Sequence, residues 1–309
     1  MKAVILCPGQ GAQRVGMGKD LADRFPGARA VFQAVDEALG LKLSDLMWNG
    51  PETDLTLTHN AQPAILAHSL AVSAVVKERI QLVAGAGHSL GEYSAYGIAG
   101  ALSLADLAHL VRLRGQLMLD AGQKRAGTMA VILGLDSEKV IEACREASTA
   151  AEVVVAANLN EPNQTVISGD PLAVERAGEK ARAAGARRVV PLKVSGAFHS
   201  PLMAPAQLGL HDALAKVAMK DPAFPVVANA SATAVTDAGS ARELLDQQLV
   251  SPVRWVECMR RLSEIGPGAT YLEMGPGNVL SGMARRIVAG ATVVTLGTAD
   301  EVTKFLEAA

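Results

Sequence analysis

The apolar run Leu82–Ala86 passes directly into Gly87-His88-Ser89-Leu90-Gly91, and a helical pattern begins there. No other passage of the chain restricts its fold as much. A short apolar run bounded by turn residues reads as a buried strand. The pentapeptide matches G-x-S-x-G, a sharp strand-to-helix turn at which flanking side chains would collide, so small neighbours are required. Such a turn lifts the serine hydroxyl to the carboxyl end of a sheet. It also sets the Leu90 N–H at the start of the new helix, pointing to where an oxyanion would form. Ser89 is therefore the candidate nucleophile.

The flanking sequence extends this reading. Ala3–Leu6 is a second apolar run that stops at Pro8-Gly9-Gln10-Gly11, and helical patterns cover about residues 17–38 and 60–79. Ser103-Leu104-Ala105-Asp106 has the form of a capping box that opens another helix. Strand, turn and helix in this rhythm predict an α/β fold with a largely parallel sheet. Beyond Gly127 the pattern changes to strand 128–133, helix 137–147, strands 153–157 and 164–168, helix 171–184 and strand 188–194. That β-α-β-β-α-β order is the ferredoxin-like arrangement. Residues 126–195 are expected to form a small inserted domain, and 1–125 with 196–309 the large one. The large part resumes with a helix from about Pro205 and strands at Pro225–Ala228 and Thr270–Glu273.

Bulk properties exclude several alternatives. A formal net charge of −2 supplies no global basic field, and 3% aromatic residues leave no stacking platform, so nucleic acid is not an expected partner. No stretch approaches the ~20 apolar residues that span a bilayer. Cys7, Cys144 and Cys258 are too widely spaced for a metal or redox motif, and a reduced cytoplasmic protein is expected. No metal or tightly held cofactor is called for, and a monomer is the default. The basic pairs Lys124–Arg125, Arg187–Arg188 and Arg285–Arg286 are read as surface charge, with contact to an acidic partner as the alternative.

A serine nucleophile needs a base. Of six histidines, His88 adjoins the serine and should diverge from it, while His68, His109 and His211 lie in helical patterns. His59 sits in a Thr-His-Asn turn. His199 lies in Ser195-Gly196-Ala197-Phe198-His199-Ser200-Pro201, a loop after a strand, which is where catalytic side chains collect. It is the favoured base. Arg114 is the most informative charge. Helical spacing places it among Leu107, Leu110, Leu117 and Met118, with Arg112 directed elsewhere. A guanidinium in an apolar arc keeps its charge and needs a partner. Either an internal carboxylate or one belonging to the substrate would serve, the latter held by two parallel hydrogen bonds.

Together these segments resemble the malonyl-CoA:acyl carrier protein transacylases, the malonyl-loading enzymes of bacterial fatty acid synthesis. The resemblance rests on Pro8-Gly9-Gln10-Gly11-Ala12-Gln13, Gln62-Pro63-Ala64, Gly87-His88-Ser89-Leu90-Gly91-Glu92 and Arg112-Leu113-Arg114-Gly115. It continues through Gly196-Ala197-Phe198-His199-Ser200, Gln248-Leu249-Val250-Ser251-Pro252-Val253 and Gly275-Pro276-Gly277. It implies an α/β-hydrolase-like core with a ferredoxin-like insert. It also implies Ser89 as nucleophile, His199 as base and Arg114 as holder of the malonyl carboxylate. The amides of Gln10 and Leu90 would form the oxyanion hole, and Gln248 would orient the imidazole in place of a triad acid. Malonyl-CoA and acyl carrier protein are the implied partners, with coenzyme A entering as part of the substrate. Cys7 stands where the family more often has an aromatic residue, which implies a packing change. Phe198 fits the malonyl-accepting form of its loop, against a methyl-branched acyl group. The alternatives are loading of a polyketide synthase or malonate decarboxylase carrier, and a serine esterase or thioesterase.

Overall fold

The computed structural model describes residues 1–308. Ten strands run along the chain. They are β1 Lys2–Cys7, β2 Gln81–Gly87, β3 Thr128–Leu133, β4 Val154–Glu161 and β5 Gln164–Gly169, followed by β6 Arg188–Pro191, β7 Val226–Val227, β8 Ala234–Val235, β9 Thr270–Met274 and β10 Val293–Leu296. Six of them form one sheet in the order β10-β9-β1-β2-β7-β8. Every pairing in that sheet is parallel except β7 with β8. Residues Ala3–Cys7 and Ala84–Gly87 are buried along their whole length, as strands covered by helices on both faces must be. The α/β reading and the largely parallel sheet therefore hold.

Register positions the site. Cys7 pairs with Gly87, so the loops that leave β1 and β2 emerge side by side at the carboxyl end of the sheet. The His88 N–H donates to the Cys7 carbonyl across 3.0 Å and locks the two exits together. Open parallel sheets bind their ligands at this edge.

The other four strands form an antiparallel sheet in the order β4-β5-β3-β6, backed by helices Ser137–Ala147 and Pro171–Ala183. Its own core includes Ile132, Val140, Ile167 and Ala177. The two sheets are joined near Val253, whose N–H donates to Ala157 (2.8 Å) and whose carbonyl accepts from Leu159 (2.9 Å). Arg125 pairs with Asp170 at 2.8 Å and Arg286 with Glu161 at 2.5 Å across the same junction. Two of the three basic pairs seen in the sequence thus have one member committed to an internal ion pair.

Helix Leu104–Lys124 carries the buried arginine. Its start is fixed as the sequence suggests, because Ser103 Oγ accepts from the Asp106 N–H at 3.1 Å and donates to Asp106 Oδ2 at 2.7 Å. Leu107, Leu110, Val111, Arg114 and Met118 form its buried stripe. Several boundaries differ from expectation: the strand expected at 153–157 runs on to Glu161, and the pattern over 17–38 is two helices, Lys19–Arg24 and Pro26–Leu39. The Thr58-His59-Asn60 turn is the first turn of helix Thr58–Val76. The strand expected at 188–194 stops at Pro191, and the one expected at 225–228 keeps just two ladder residues. Proline stands at the end of the first and just before the second, where it has no N–H to give the ladder, although the Leu192 N–H still reaches the Met129 carbonyl at 2.9 Å. Helices Ala238–Gln247, Trp255–Ile265, Val279–Ile287 and Ala299–Ala308 complete the large sheet's cover. Among the described residues no helix is long and apolar enough to cross a membrane.

Candidate active site

Ser89 sits at the junction of β2 and helix Leu90–Ile98 with φ 52° and ψ −109°. A non-glycine residue rarely adopts positive φ, and such strain persists only where the surroundings enforce it. Here two glycines and one asparagine do so. A Cβ on Gly87 would lie 1.9 Å from the carbonyl group of Gly91, and one on Gly91 would lie 2.0 Å from the Cys7 oxygen. The turn is therefore too tight for any side chain at either position. Asn229, just after β7, fastens it from below. Its Oδ1 accepts from the Ser89 N–H at 2.7 Å and its Nδ2 donates to the Gly87 carbonyl at 2.8 Å.

His199 reaches the serine from the loop after β6, itself at φ 55°. Its Nε2 lies 2.7 Å from Ser89 Oγ and its Nδ1 lies 3.0 Å from the main-chain carbonyl of Gln248. A carbonyl can only accept, so Nδ1 carries the proton and Nε2 presents its lone pair to the hydroxyl. Burial first, and the charge of Arg114 second, push the imidazole down to about 3. It is thus neutral and able to take a proton. The sequence reading has Gln248 orient this ring, and the main-chain carbonyl of Gln248 is the contacting atom. Its side chain points elsewhere.

That side chain belongs to Arg114. The guanidinium is fully buried. Nη1 donates to Gln62 Oε1 at 2.8 Å, and Nη2 donates to Gln248 Oε1 at 2.8 Å and to Ser89 Oγ at 3.0 Å. The Tyr93 ring lies beneath it, 5.5 Å from the guanidinium carbon. No carboxylate of the described residues lies within 4.0 Å, and Nε has no partner. No internal carboxylate therefore touches Arg114; the nearest link is to Glu92 through the Gln248 amide. Burial lowers its pKa, but a guanidinium stays charged in any protein environment.

Beneath Gln248 lies Glu92, fully buried, whose Oε2 accepts from Gln248 Nε2 at 2.7 Å and from the Asn229 N–H at 3.0 Å. Burial raises its carboxyl to about 7. From the sequence alone no third acidic member stands out, and Glu92, Gln62 and Asn229 carry no role. The first two lie inside quoted motifs, so their segments were visible although their contacts were not.

A cleft of about 330 Å³ opens over these groups, bordered by Gln10, Leu90, Met129, Asn160 and Phe198. Gln10 follows β1 and Leu90 follows Ser89, so the two loop exits flank the hydroxyl. His88 turns away, with Nε2 2.8 Å from Asn160 Oδ1 and its ring beside Trp255. His68 is buried against the Gly297 carbonyl, while His211 is exposed next to Asp246. Among the described residues no group of His, Cys, Asp or Glu side chains could hold a metal ion.

Residues 4–301 match the acyl transferase domain family. The chain is similar to the malonyl CoA-acyl carrier protein transacylase of Bacillus subtilis (strain 168), with 45% identity covering 93% of this chain and 90% of that protein. It is also similar to the protein of the same name from Escherichia coli (strain K12), with 40% identity over 97% of each chain. Among solved structures, an acyl carrier protein S-malonyltransferase from Vibrio cholerae matches with a TM-score of 0.94 and 41% identity, covering 98% of this chain and 99% of that one. A malonyl-transacylase in complex with a type II PKS acyl-carrier protein matches with a TM-score of 0.94 and 40% identity, over 100% and 99% of the two chains.

Proposed function

Since the chain belongs to the malonyl CoA-acyl carrier protein transacylase family of acyl transferases, we propose that it carries malonyl groups from coenzyme A to acyl carrier protein through an ester on Ser89. The observation that carries this reading is Arg114, a buried guanidinium that touches the candidate nucleophile and has no carboxylate of its own. A malonyl thioester brings the missing carboxylate.

In the first half-reaction Ser89 Oγ bonds to the thioester carbon while its proton passes to His199 Nε2. The N–H groups of Gln10 and Leu90 receive the charge that develops on the carbonyl oxygen. The carbon–sulfur bond then breaks, and the proton leaves with the coenzyme A thiol. In the second half the phosphopantetheine thiol of the carrier protein gives its proton to His199 and attacks the ester. Ser89 Oγ leaves and recovers that proton. No redox step or metal takes part, and coenzyme A appears only as substrate and product. The site is complete within one chain, which suits a monomer. The small sheet, as an inserted domain of residues 126–195, walls the cleft through Met129 and Asn160. The three free cysteines suit the reducing cytoplasm.

Intact-mass measurement after mixing with malonyl-CoA tests the reading. The protein should gain one malonyl group, Ser89→Ala should gain none, and acyl carrier protein should discharge the adduct. Free malonate released as fast without carrier as with it would instead indicate a hydrolase. The relative solved with a type II PKS carrier favours a polyketide carrier as the second reading. Discharge by fatty-acid and polyketide carriers, compared side by side, separates the two.

A further inference from the structure

The amide of Gln248 stands between a guanidinium and a buried carboxyl group. Its Oε1 faces the Arg114 guanidinium, which can only donate, and its Nε2 donates to the Ser89 carbonyl, which can only accept, and to Glu92 Oε2. Turned over, the amide would point N–H groups at a guanidinium and its oxygen at the Ser89 carbonyl. The orientation of the amide is thus dictated by what lies at its two ends. Glu92 is in turn held by the Asn229 N–H.

From this chain of contacts we propose that Glu92 is a positioning residue for malonyl selection, setting the Gln248 amide so that Arg114 is presented to the acyl carboxylate. The inference rests on the transacylase reading above. Direct contact would make Glu92 a competitor, because a carboxylate on Arg114 would occupy the edge that the substrate needs. One amide of separation keeps Arg114 oriented yet leaves it without a carboxylate in contact. Glu92 touches neither Ser89 Oγ nor His199, and because it meets Asn229 at the main-chain N–H while the Asn229 side chain holds the serine turn, the Gln248 side chain is its direct route to Arg114. Its influence should therefore fall on acyl groups that carry a carboxylate.

Two variants separate this role from a purely structural one. In Glu92→Gln the side-chain oxygen can still accept from Gln248 and Asn229. Its new NH2 group takes the place of Oε1, a buried atom without a partner. The variant should melt at a lower temperature yet keep its malonyl-to-acetyl loading ratio within about fivefold of the parent. Glu92→Ala removes the acceptor, and its malonyl loading should fall about 100-fold with acetyl loading changed far less. Should Glu92→Ala fail to fold, Glu92→Asp withdraws the carboxylate by one methylene and should show the same malonyl-specific loss. Equal losses for both acyl groups, or a Glu92→Gln ratio as damaged as that of Glu92→Ala, would overturn the proposal. Malonyl loading of the parent protein, measured by intact mass in the same series, identifies failure of the transacylase reading separately.

Discussion

Arg114 Nη2 donates to Ser89 Oγ at 3.0 Å, and His199 Nε2 takes the other side of that oxygen at 2.7 Å. The hydroxyl can donate only once, and the guanidinium cannot accept, so the proton of Ser89 lies toward the imidazole. The group that would grip the acyl carboxylate also fixes the direction of the nucleophile's proton. Arg114→Ala should cut malonyl loading by about 100-fold or more, because the acyl carboxylate would be left unpaired in a buried site. Acetyl loading should fall far less or rise. Rates of adduct formation with malonyl-CoA and acetyl-CoA check this, and parallel losses would refute a carboxylate grip.

Asn229 deserves the same test, since it ties both ends of the serine turn and its own N–H reaches Glu92. Asn229→Ala leaves the Ser89 N–H and the Gly87 carbonyl without their partner, at a cost of roughly 2–4 kcal/mol. Asn229→Asp keeps an acceptor for the Ser89 N–H but sets a carboxylate oxygen against the Gly87 carbonyl and a second buried charge near Glu92. We expect both variants to lose stability in urea unfolding and to load malonyl more slowly. Parent-like loading by Asn229→Ala would show that the glycines alone hold the turn.

The legible and illegible parts of this site differ in a physical way. Ser89 was readable because a strand, a glycine-bounded turn and a helix are local in sequence. Arg114 was readable because a charge within a helical apolar stripe contradicts its surroundings. The same spacing could not say whose carboxylate would meet it, which depends on what packs across from the helix: Gln62 and Gln248, 52 and 134 residues away along the chain. Asn229 carried no local signal at all, since it follows a strand of two residues and acts on a turn 140 residues earlier. For Gln248 the position was implied by family resemblance, but whether the main chain or the side chain meets His199 is decided by tertiary geometry. The C-terminal helices were missed for a simpler reason. They are short amphipathic segments whose stability comes from packing within the fold.

His68 offers a test of burial energetics away from the chemistry. It is fully buried, its Nε2 lies 3.1 Å from the Gly297 carbonyl, and its Nδ1 has no partner. Burial pushes the ring down to about 4 from an ordinary 6.5. The unfolded chain therefore takes up a proton below 6.5 while the folded one does not until about 4, and stability falls as pH drops through that window. His199 acts with the same sign down to about 3, whereas Glu92, raised to about 7, gains protons earlier in the folded state and opposes them. His68→Gln keeps a donor for the Gly297 carbonyl and removes the titration. Between about pH 7 and about pH 5 the variant should lose roughly 2 kcal/mol less stability than the parent. Urea unfolding at the two pH values measures the difference, and identical pH slopes would show that His68 can be protonated without unfolding the chain.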